Sequence, residues 1–384
     1  MCNRSQMIIP KLVALDTNQW VGLVRDAYGS DSHLRREARR FPTLLLEQGY
    51  SILFCFHHLQ ELLAHENPML VADRLKFIKE IDFISWICSH VDGGSLATIT
   101  DIFTAEAWAA FSTGGCAADV RKHVKELVIR SGAGMRIAPD DSQFQVIFSP
   151  WAQRHADNAR TIAAISAFKF WKPGTTVGEL KAYKFTDRLE AARKFSRMRQ
   201  NLSSEIAERG DKRINDPDGM ANEFLRNTFS VNQILPNTVA EFVDANFISQ
   251  GIDKDEIQDH LTVEHLTDLA TFRNQLRIVA EQLNIPFDGL KRQILPDQLP
   301  HWLISNSLKP FQQDQAERRG SDLVDRYLSC LLPYADVVYV DKRTAEHLRR
   351  ARKQQPSIAD LIGDARRTVD WRQVAFDLQQ FTQL

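Results

Sequence analysis

The sequence predicts an α/β fold with a mostly parallel sheet, interrupted by a large and mainly helical insertion. Three short apolar segments, 11–15, 50–56 and 336–341, have the length and composition of buried strands. A segment with helical spacing follows each of them, and such alternation is typical of a parallel sheet covered by helices. Between about residues 96 and 304 the alternation stops and helical spacing dominates.

The first part of the chain, residues 1–95, contains two of these strands. "KLVAL" runs directly into Asp16, and "YSILFCF" follows Gly49, a residue type that commonly ends helices. Apolar residues recur at helical intervals in the segments between and after the two strands. Helices are therefore predicted over 21–29, 32–49, 57–65 and 68–81.

The last part, residues 305–384, repeats the strand and helix pattern. Ser321 is placed to cap a helix, "DVVYVD" is a strand that ends at Asp341, and "KRTAEHLRRARKQ" is the helix after it. The middle part, 96–304, offers a single strand candidate, "FQVIF" at 144–148. We predict one sheet domain built from both ends of the chain, with a helical domain inserted between them.

Composition limits the classes of function. Of the 384 residues, 43% are apolar and 25% are charged, which excludes a wholly disordered chain. The net charge is -1, so any nucleic-acid surface must be a local patch of Lys and Arg. The chain has no P-loop, no dinucleotide-binding glycine motif and no GxSxG motif, so nucleotide-driven motors, dehydrogenases and serine hydrolases are unsupported.

Cysteine usage and hydropathy predict a cytoplasmic protein without a membrane anchor. The five cysteines are odd in number, widely spread and never in a CxxC pair, as expected of reduced thiols. The start of the chain lacks the apolar core and cleavage site of a signal peptide, and no run of about 18 apolar residues occurs.

Four acidic residues are predicted to meet at one edge of the sheet. Asp16 and Asp341 each end a strand, Glu61 lies one helical turn beyond the second strand, and Asp322 begins the helix before the last strand. The carboxyl ends of parallel strands share one edge, where ligands bind in open α/β sheets. Clustered carboxylates repel one another unless cations neutralise them, and oxygen ligands favour Mg²⁺ or Mn²⁺. The pattern indicates metal-assisted phosphodiester hydrolysis.

In these motifs the chain resembles the PIN-domain nucleases. That family has an Asp after the first strand, commonly within D-[TS]-N, and "LDTN" supplies Asp16, Thr17 and Asn18 here. The family also has a Glu early in the helix after a second strand, which Glu61 matches. The resemblance implies a three-layer PIN-like core in which Thr17 supports the site and Asn18 orients a ligand or the attacking water.

The end of the chain carries the second half of the resemblance. The third acidic residue of the family begins a helix, roughly 19 positions before an Asp that ends a strand, and Asp322 and Asp341 have this spacing. Asp325 lies one turn after Asp322 on the same helix face and is predicted as an added or alternative ligand. The resemblance covers roughly residues 10–90 and 305–355 and implies that Asp16, Glu61, Asp322 and Asp341 hold Mg²⁺ or Mn²⁺.

The resemblance implies an endonuclease that acts on RNA more readily than on DNA, in RNA processing, in a toxin–antitoxin pair or in defence against foreign nucleic acid. An inhibitory protein partner and a homo-oligomer are compatible with it. Two other functions stay open: a PIN-like binding or scaffold protein without catalysis, and a structure-specific DNA nuclease related to flap endonucleases.

Two basic segments are candidates for contact with the phosphate backbone. One directly follows Asp341 and carries six Lys or Arg against one Glu, and the other lies within 181–213. The contact residues predicted from these segments are Lys342, Arg343, Arg349, Arg350, Lys194 and Arg197.

Structural roles are the alternative for each of these residues. An Asp after a strand often caps the next helix, acidic residues favour the first turn of any helix, and basic residues often line a solvated helix face.

Overall fold

The structure is a computed structural model that describes residues 9–381 with gaps. The gaps are 92, 138–149, 155–161, 163, 166–171, 173, 184–187, 231–237, 314–327 and 369. The strand predicted at 144–148 lies outside the described residues.

A six-stranded sheet forms the centre of the fold, with strand order β4-β3-β2-β1-β5-β6. Neighbouring strands run parallel except for β4, which pairs antiparallel with β3. The predicted α/β class and mostly parallel sheet are confirmed. The strands are β1 Lys11–Ala14, β2 Tyr50–Phe54, β3 Ile84–Ile87, β4 Ile129–Gly132, β5 Val337–Tyr339 and β6 Asp364–Arg366.

The three strands expected from the sequence, β1, β2 and β5, are adjacent in the middle of the sheet. All five residues of β2 and all three of β5 are buried, which explains their continuous apolar sequences. The sequence did not predict β3, β4 or β6. "IRSG" and "DAR" are polar strands at the two edges of the sheet, so neither shows an apolar run. β3, "ISWI", is buried throughout and was missed although it is as long as β1.

Helices pack around this sheet and share its apolar core. The indole of Trp20 meets the ring of Phe54 edge to face at 5.2 Å, and Phe41 meets Trp371 in the same way at 5.2 Å. The helices of this part are α1 Thr17–Tyr28, α2 Ser32–Glu47, α3 Phe56–Leu63, α4 Pro68–Lys79, α5 Ile99–Thr113, α6 Ala117–Val128, α13 Pro300–Gln313, α14 Lys342–Gln354 and α15 Trp371–Phe381.

A second compact unit comprises residues 157–293 and 313–323. Its described residues are mainly helical and form two apolar clusters of their own. Its helices are α7 Val177–Lys181, α8 Arg188–Arg209, α9 Pro217–Ser230, α10 Val239–Ser249, α11 Val263–Leu283 and α12 Phe287–Gln293. Short 3₁₀ helices in the two units are Gly134–Arg136, Lys254–Glu256, Pro296–Gln298, Ser329–Leu331 and Pro356–Leu361.

The sheet unit extends further along the chain than the predicted boundaries at 96 and 304. It comprises residues 1–156, 294–312 and 324–384. The chain after β3 forms α5 and α6 and then returns as β4 to the edge of the same sheet. Helical spacing shows that a helix has an apolar face but not which element covers that face, so the sequence by itself places α5 and α6 in the insertion.

No helix in the described ranges is both long and apolar enough to cross a bilayer.

One buried carboxyl joins three segments of the sheet unit. Glu106 in α5 is fully buried and accepts hydrogen bonds from the Tyr334 hydroxyl at 2.6 Å and from the backbone N–H of His301 at 3.0 Å. Burial raises the pKa of Glu106 to about 8, because the charged form loses its hydration. Glu106 should therefore be largely protonated near neutral pH in the folded chain.

The buried carboxyl predicts how stability depends on pH. Glu106 has its ordinary, lower pKa after unfolding, so between that value and about 8 the folded state holds more protons than the unfolded state. The free energy of unfolding should then fall as pH rises, by at most about 1.4 kcal/mol per pH unit from this group. Glu106→Gln should remove this contribution. Urea unfolding of the wild type and of the variant, from about pH 5 to pH 9, measures the difference. Equal pH slopes for the two proteins would contradict it.

Candidate functional site

Asp16 lies just beyond the carboxyl end of β1 and caps helix α1. Its Oδ1 accepts a hydrogen bond from the backbone N–H of Asn18 at 2.8 Å, and its own N–H donates to Gln19 Oε1 at 2.7 Å. This reciprocal arrangement is a capping box. Asp16 thus caps a helix, the structural role considered as the alternative to metal binding. The cap also holds its half-buried carboxylate at the end of the strand.

Asp341 has the equivalent position on the neighbouring strand. β1 and β5 are parallel, with Ala14 opposite Val338, so the two chains leave the sheet at the same edge. Asp341 caps α14, and its Oδ1 accepts from the backbone N–H of Thr344 at 2.5 Å. The pairing of β1 with β5 brings Asp16 and Asp341 together from opposite ends of the sequence.

Both carboxylates line one pocket at this edge of the sheet. His58 and Thr344 also line this pocket. The rest of the lining comes from the ends of β1 and β5 and from the segment before β5. The predicted convergence of Asp16 and Asp341 at the carboxyl edge is therefore present in the structure.

Glu61 lies in the second turn of α3 and faces the start of α1. The hydroxyl of Thr17 donates a short hydrogen bond to Glu61 Oε2. The pKa of Glu61 is raised to about 7. Burial is the largest cause, the negative charge of Asp16 acts in the same direction, and the hydrogen bond from the Thr17 hydroxyl acts against them. Thr17, the residue after Asp16, therefore holds the Glu61 side chain at the start of α1.

The charge of Asp16 is disfavoured by its surroundings. Burial raises the pKa of Asp16 above its ordinary value, and the charge of Asp341 raises it further. The hydrogen bond from the Asn18 backbone acts in the opposite direction. Burial and a neighbouring negative charge both raise the pKa of Asp16, so its charged form would gain from a nearby cation.

Two of the predicted ligands cannot be placed. Asp322 and Asp325 lie within 321–327, outside the described residues. Among the residues that are described, no three or more His, Cys, Asp or Glu side chains are arranged to hold a metal ion. The fourfold ligand set stays a prediction.

The basic residues of α14 make several contacts within the fold. Arg349 forms an ion pair with Glu346 at 2.7 Å, and the guanidinium of Arg350 lies 4.5 Å from the ring centroid of Phe311. Lys342 is exposed and Arg343 is half-buried at the first turn, directly after Asp341. The start of α14 is thus the basic surface adjacent to the pocket.

Lys194 and Arg197 belong to α8, in the second unit. The ammonium of Lys194 lies 5.5 Å from the ring centroid of Tyr183, and Arg197 is exposed. Their contact with nucleic acid stays a prediction.

The sequence did not point to His58. It is fully buried, and its Nε2 lies 2.8 Å from the carbonyl oxygen of Leu15. That contact joins residues 43 positions apart, so no local pattern contains it. The only local sign was a histidine one helical turn before Glu61.

Comparisons of the chain with protein-family models, with curated proteins and with solved structures find no match.

Proposed function

We propose that this protein is a metal-dependent endonuclease with a PIN-like core that hydrolyses phosphodiester bonds. One observation carries the proposal: Asp16 and Asp341 leave adjacent parallel strands at the same edge and line one pocket. The charge of Asp16 also acts on Glu61, which approaches from a third element. The resemblance in "LDTN" and around Asp341 supports the same function.

The donor set fits a hard divalent cation. The side chains are carboxylates, and oxygen ligands favour Mg²⁺ or Mn²⁺ over softer metals. Asp16 and Asp341, with Glu61 and Asp322, would hold the ion. When bound there, it would neutralise the carboxylates, polarise the scissile phosphate, lower the pKa of a bound water and stabilise the leaving oxygen.

The chain's own side chains would position the reactants. Thr17 holds Glu61 through its hydroxyl, and the exposed side chain of Asn18 would orient a ligand or the attacking water. Lys342 and Arg343 follow Asp341 and would attract the phosphate backbone, because cations near the site raise the local concentration of nucleic acid.

A second candidate is a PIN-like binding or scaffold protein without catalysis. The observation that favours it is that Asp16 and Asp341 both cap helices, a role that requires no metal. The third candidate, a structure-specific DNA nuclease, uses the same metal chemistry. An inhibitory protein partner, a toxin–antitoxin or defence role and a homo-oligomer rest on the resemblance and stay predictions.

Cleavage assays separate the three candidates. Single-stranded RNA and flap-containing DNA are incubated with the protein at matched salt, with Mn²⁺ and with EDTA. We expect Mn²⁺-dependent cleavage of RNA that EDTA abolishes, and slower cleavage of DNA. Faster cleavage of DNA would favour the third candidate. Absence of cleavage, together with absence of saturable Mn²⁺ binding in calorimetry, would favour the scaffold.

A further inference from the structure

We propose that His58 is a positioning residue for the carboxylate pocket. Its imidazole would hold the end of β1, which carries Asp16, against the helix that carries Glu61. This inference rests on the proposed function, because it assigns His58 a role in keeping the acidic ligands in register.

The imidazole is held between the ends of two strands. Its Nε2 lies 2.8 Å from the carbonyl oxygen of Leu15, the residue before Asp16, and its Nδ1 lies 3.2 Å from the backbone nitrogen of Cys55, at the end of β2. The Cys55 N–H donates to Nδ1, so Nδ1 carries no proton, and Nε2 donates its own proton to Leu15. One side chain thus fixes the distance between two strand ends.

Packing leaves the ring no room to turn. His58 is 0% exposed, and its ring lies 5.2 Å from that of Phe54 and 6.2 Å from that of Trp20, measured between centroids. Trp20 lies one turn after Asp16 in α1, so His58 contacts both elements that flank Asp16. A buried ring enclosed on several sides holds its hydrogen bonds in one geometry.

The contacts of His58 complete a closed circuit around the site. Leu15 precedes Asp16, which precedes Thr17, whose hydroxyl bonds to Glu61, and Glu61 lies three residues after His58 on α3. Loss of the contact with Leu15 would free one side of this circuit. The hydrogen bond from the Thr17 hydroxyl to Glu61 would then be the remaining side-chain contact of this circuit.

The structure also provides a comparison with an ordinary helix cap. In α1, Gln19 occupies the third helical position and accepts from the backbone N–H of Asp16 at 2.7 Å. His58 does the same for Cys55 in α3. A glutamine is therefore sufficient for the cap, whereas the contact with Leu15 needs the second ring nitrogen of a histidine.

The test compares His58→Gln with His57→Gln. Glutamine at position 58 keeps an acceptor for Cys55 but lacks the ring nitrogen that contacts Leu15. His57 is the matched control, because it is also buried in α3, and its Nε2 accepts from the backbone N–H of Ile99 at 3.1 Å, away from Leu15. Calorimetry gives the Kd for Mn²⁺, thermal melting gives Tm, and amide hydrogen exchange reports on Asp16 and Thr17.

We expect His58→Gln to weaken Mn²⁺ binding by about 10- to 100-fold, the usual effect of losing a residue that orients a metal ligand. Exchange at Asp16 and Thr17 should accelerate, while His57→Gln should keep the wild-type Kd. A Kd for His58→Gln within the range of the wild type and His57→Gln would overturn the positioning role.

Two kinds of failure can be distinguished. If the wild type cleaves RNA and binds Mn²⁺ but His58→Gln does so equally well, the positioning role fails alone. If the wild type binds no Mn²⁺, the proposed function fails and the positioning role fails with it.

A measurement on the wild type keeps the inference testable if His58→Gln does not fold. Nitrogen NMR of ¹⁵N-labelled histidine should show His58 protonated at Nε2 and unprotonated at Nδ1. A proton on Nδ1, or a ring that exchanges rapidly between tautomers, would overturn the proposed contacts.

Discussion

Asp16→Asn is expected to lower the rate of Mn²⁺-dependent RNA cleavage by at least about 100-fold while changing Tm little. Asparagine is as good a helix cap as aspartate, so the bond to the Asn18 N–H should persist. The substitution removes the negative charge and replaces one carboxylate oxygen by an NH₂ group. Loss of this anionic ligand should cost at least as much as the upper end of the 10- to 100-fold range typical of groups that merely orient ligands. Asp341→Asn is expected to behave in the same way, because Asp341 also caps a helix. Single-turnover cleavage and thermal melting measure the two effects.

Asp31→Asn is the matched control. Asp31 caps α2 through the backbone N–H groups of His33 and Leu34, at 2.8 and 3.2 Å, and it does not line the pocket. This variant should keep the wild-type cleavage rate. Full cleavage by both Asp16→Asn and Asp341→Asn would show that these carboxylates serve only as caps, and the proposed metal site would be wrong.

Mn²⁺ affinity is expected to fall as pH decreases below about 7. The pKa of Glu61 is raised to about 7, mainly by burial, so at lower pH a proton occupies the carboxylate that the ion would need. For one displaced proton, Kd should rise about tenfold per pH unit below this pKa and level off above it. Calorimetry in two buffers of different ionisation enthalpy, from about pH 5.5 to pH 8, measures the Kd and the number of protons released.

Glu61→Gln tests the source of this pH dependence. Glutamine cannot titrate, so the variant should bind more weakly than the wild type at about pH 8 and lose the part of the pH dependence due to Glu61. Asp16 also has a raised pKa, and its contribution should remain in this variant. An unchanged Kd and an unchanged release of protons would exclude Glu61 as a ligand.

Local patterns predicted the strands that are buried in the middle of the sheet. β1, β2 and β5 are covered on both faces, so each has an apolar run that can be recognised in the sequence. The acidic residues that follow β1 and β5 can be recognised in the same way. The edge strands β4 and β6 were missed, because they are polar and paired on one side only. β4 pairs with β3, which lies about 40 residues earlier in the chain, and β6 pairs with β5, from which α14 separates it.

The acidic site shows the same division. The sequence alone determined the identity of Asp16, Glu61 and Asp341, and it predicted that Asp16 and Asp341 follow strands and that Glu61 lies in a helix. Only the tertiary structure decided that β1 lies between β2 and β5, that Asp16 and Asp341 share a pocket, and that His58 contacts Leu15. The physical reason is that strand pairing and burial join residues far apart in the chain. The raised pKa of Glu61 likewise depends on its surroundings and not on its neighbours in sequence.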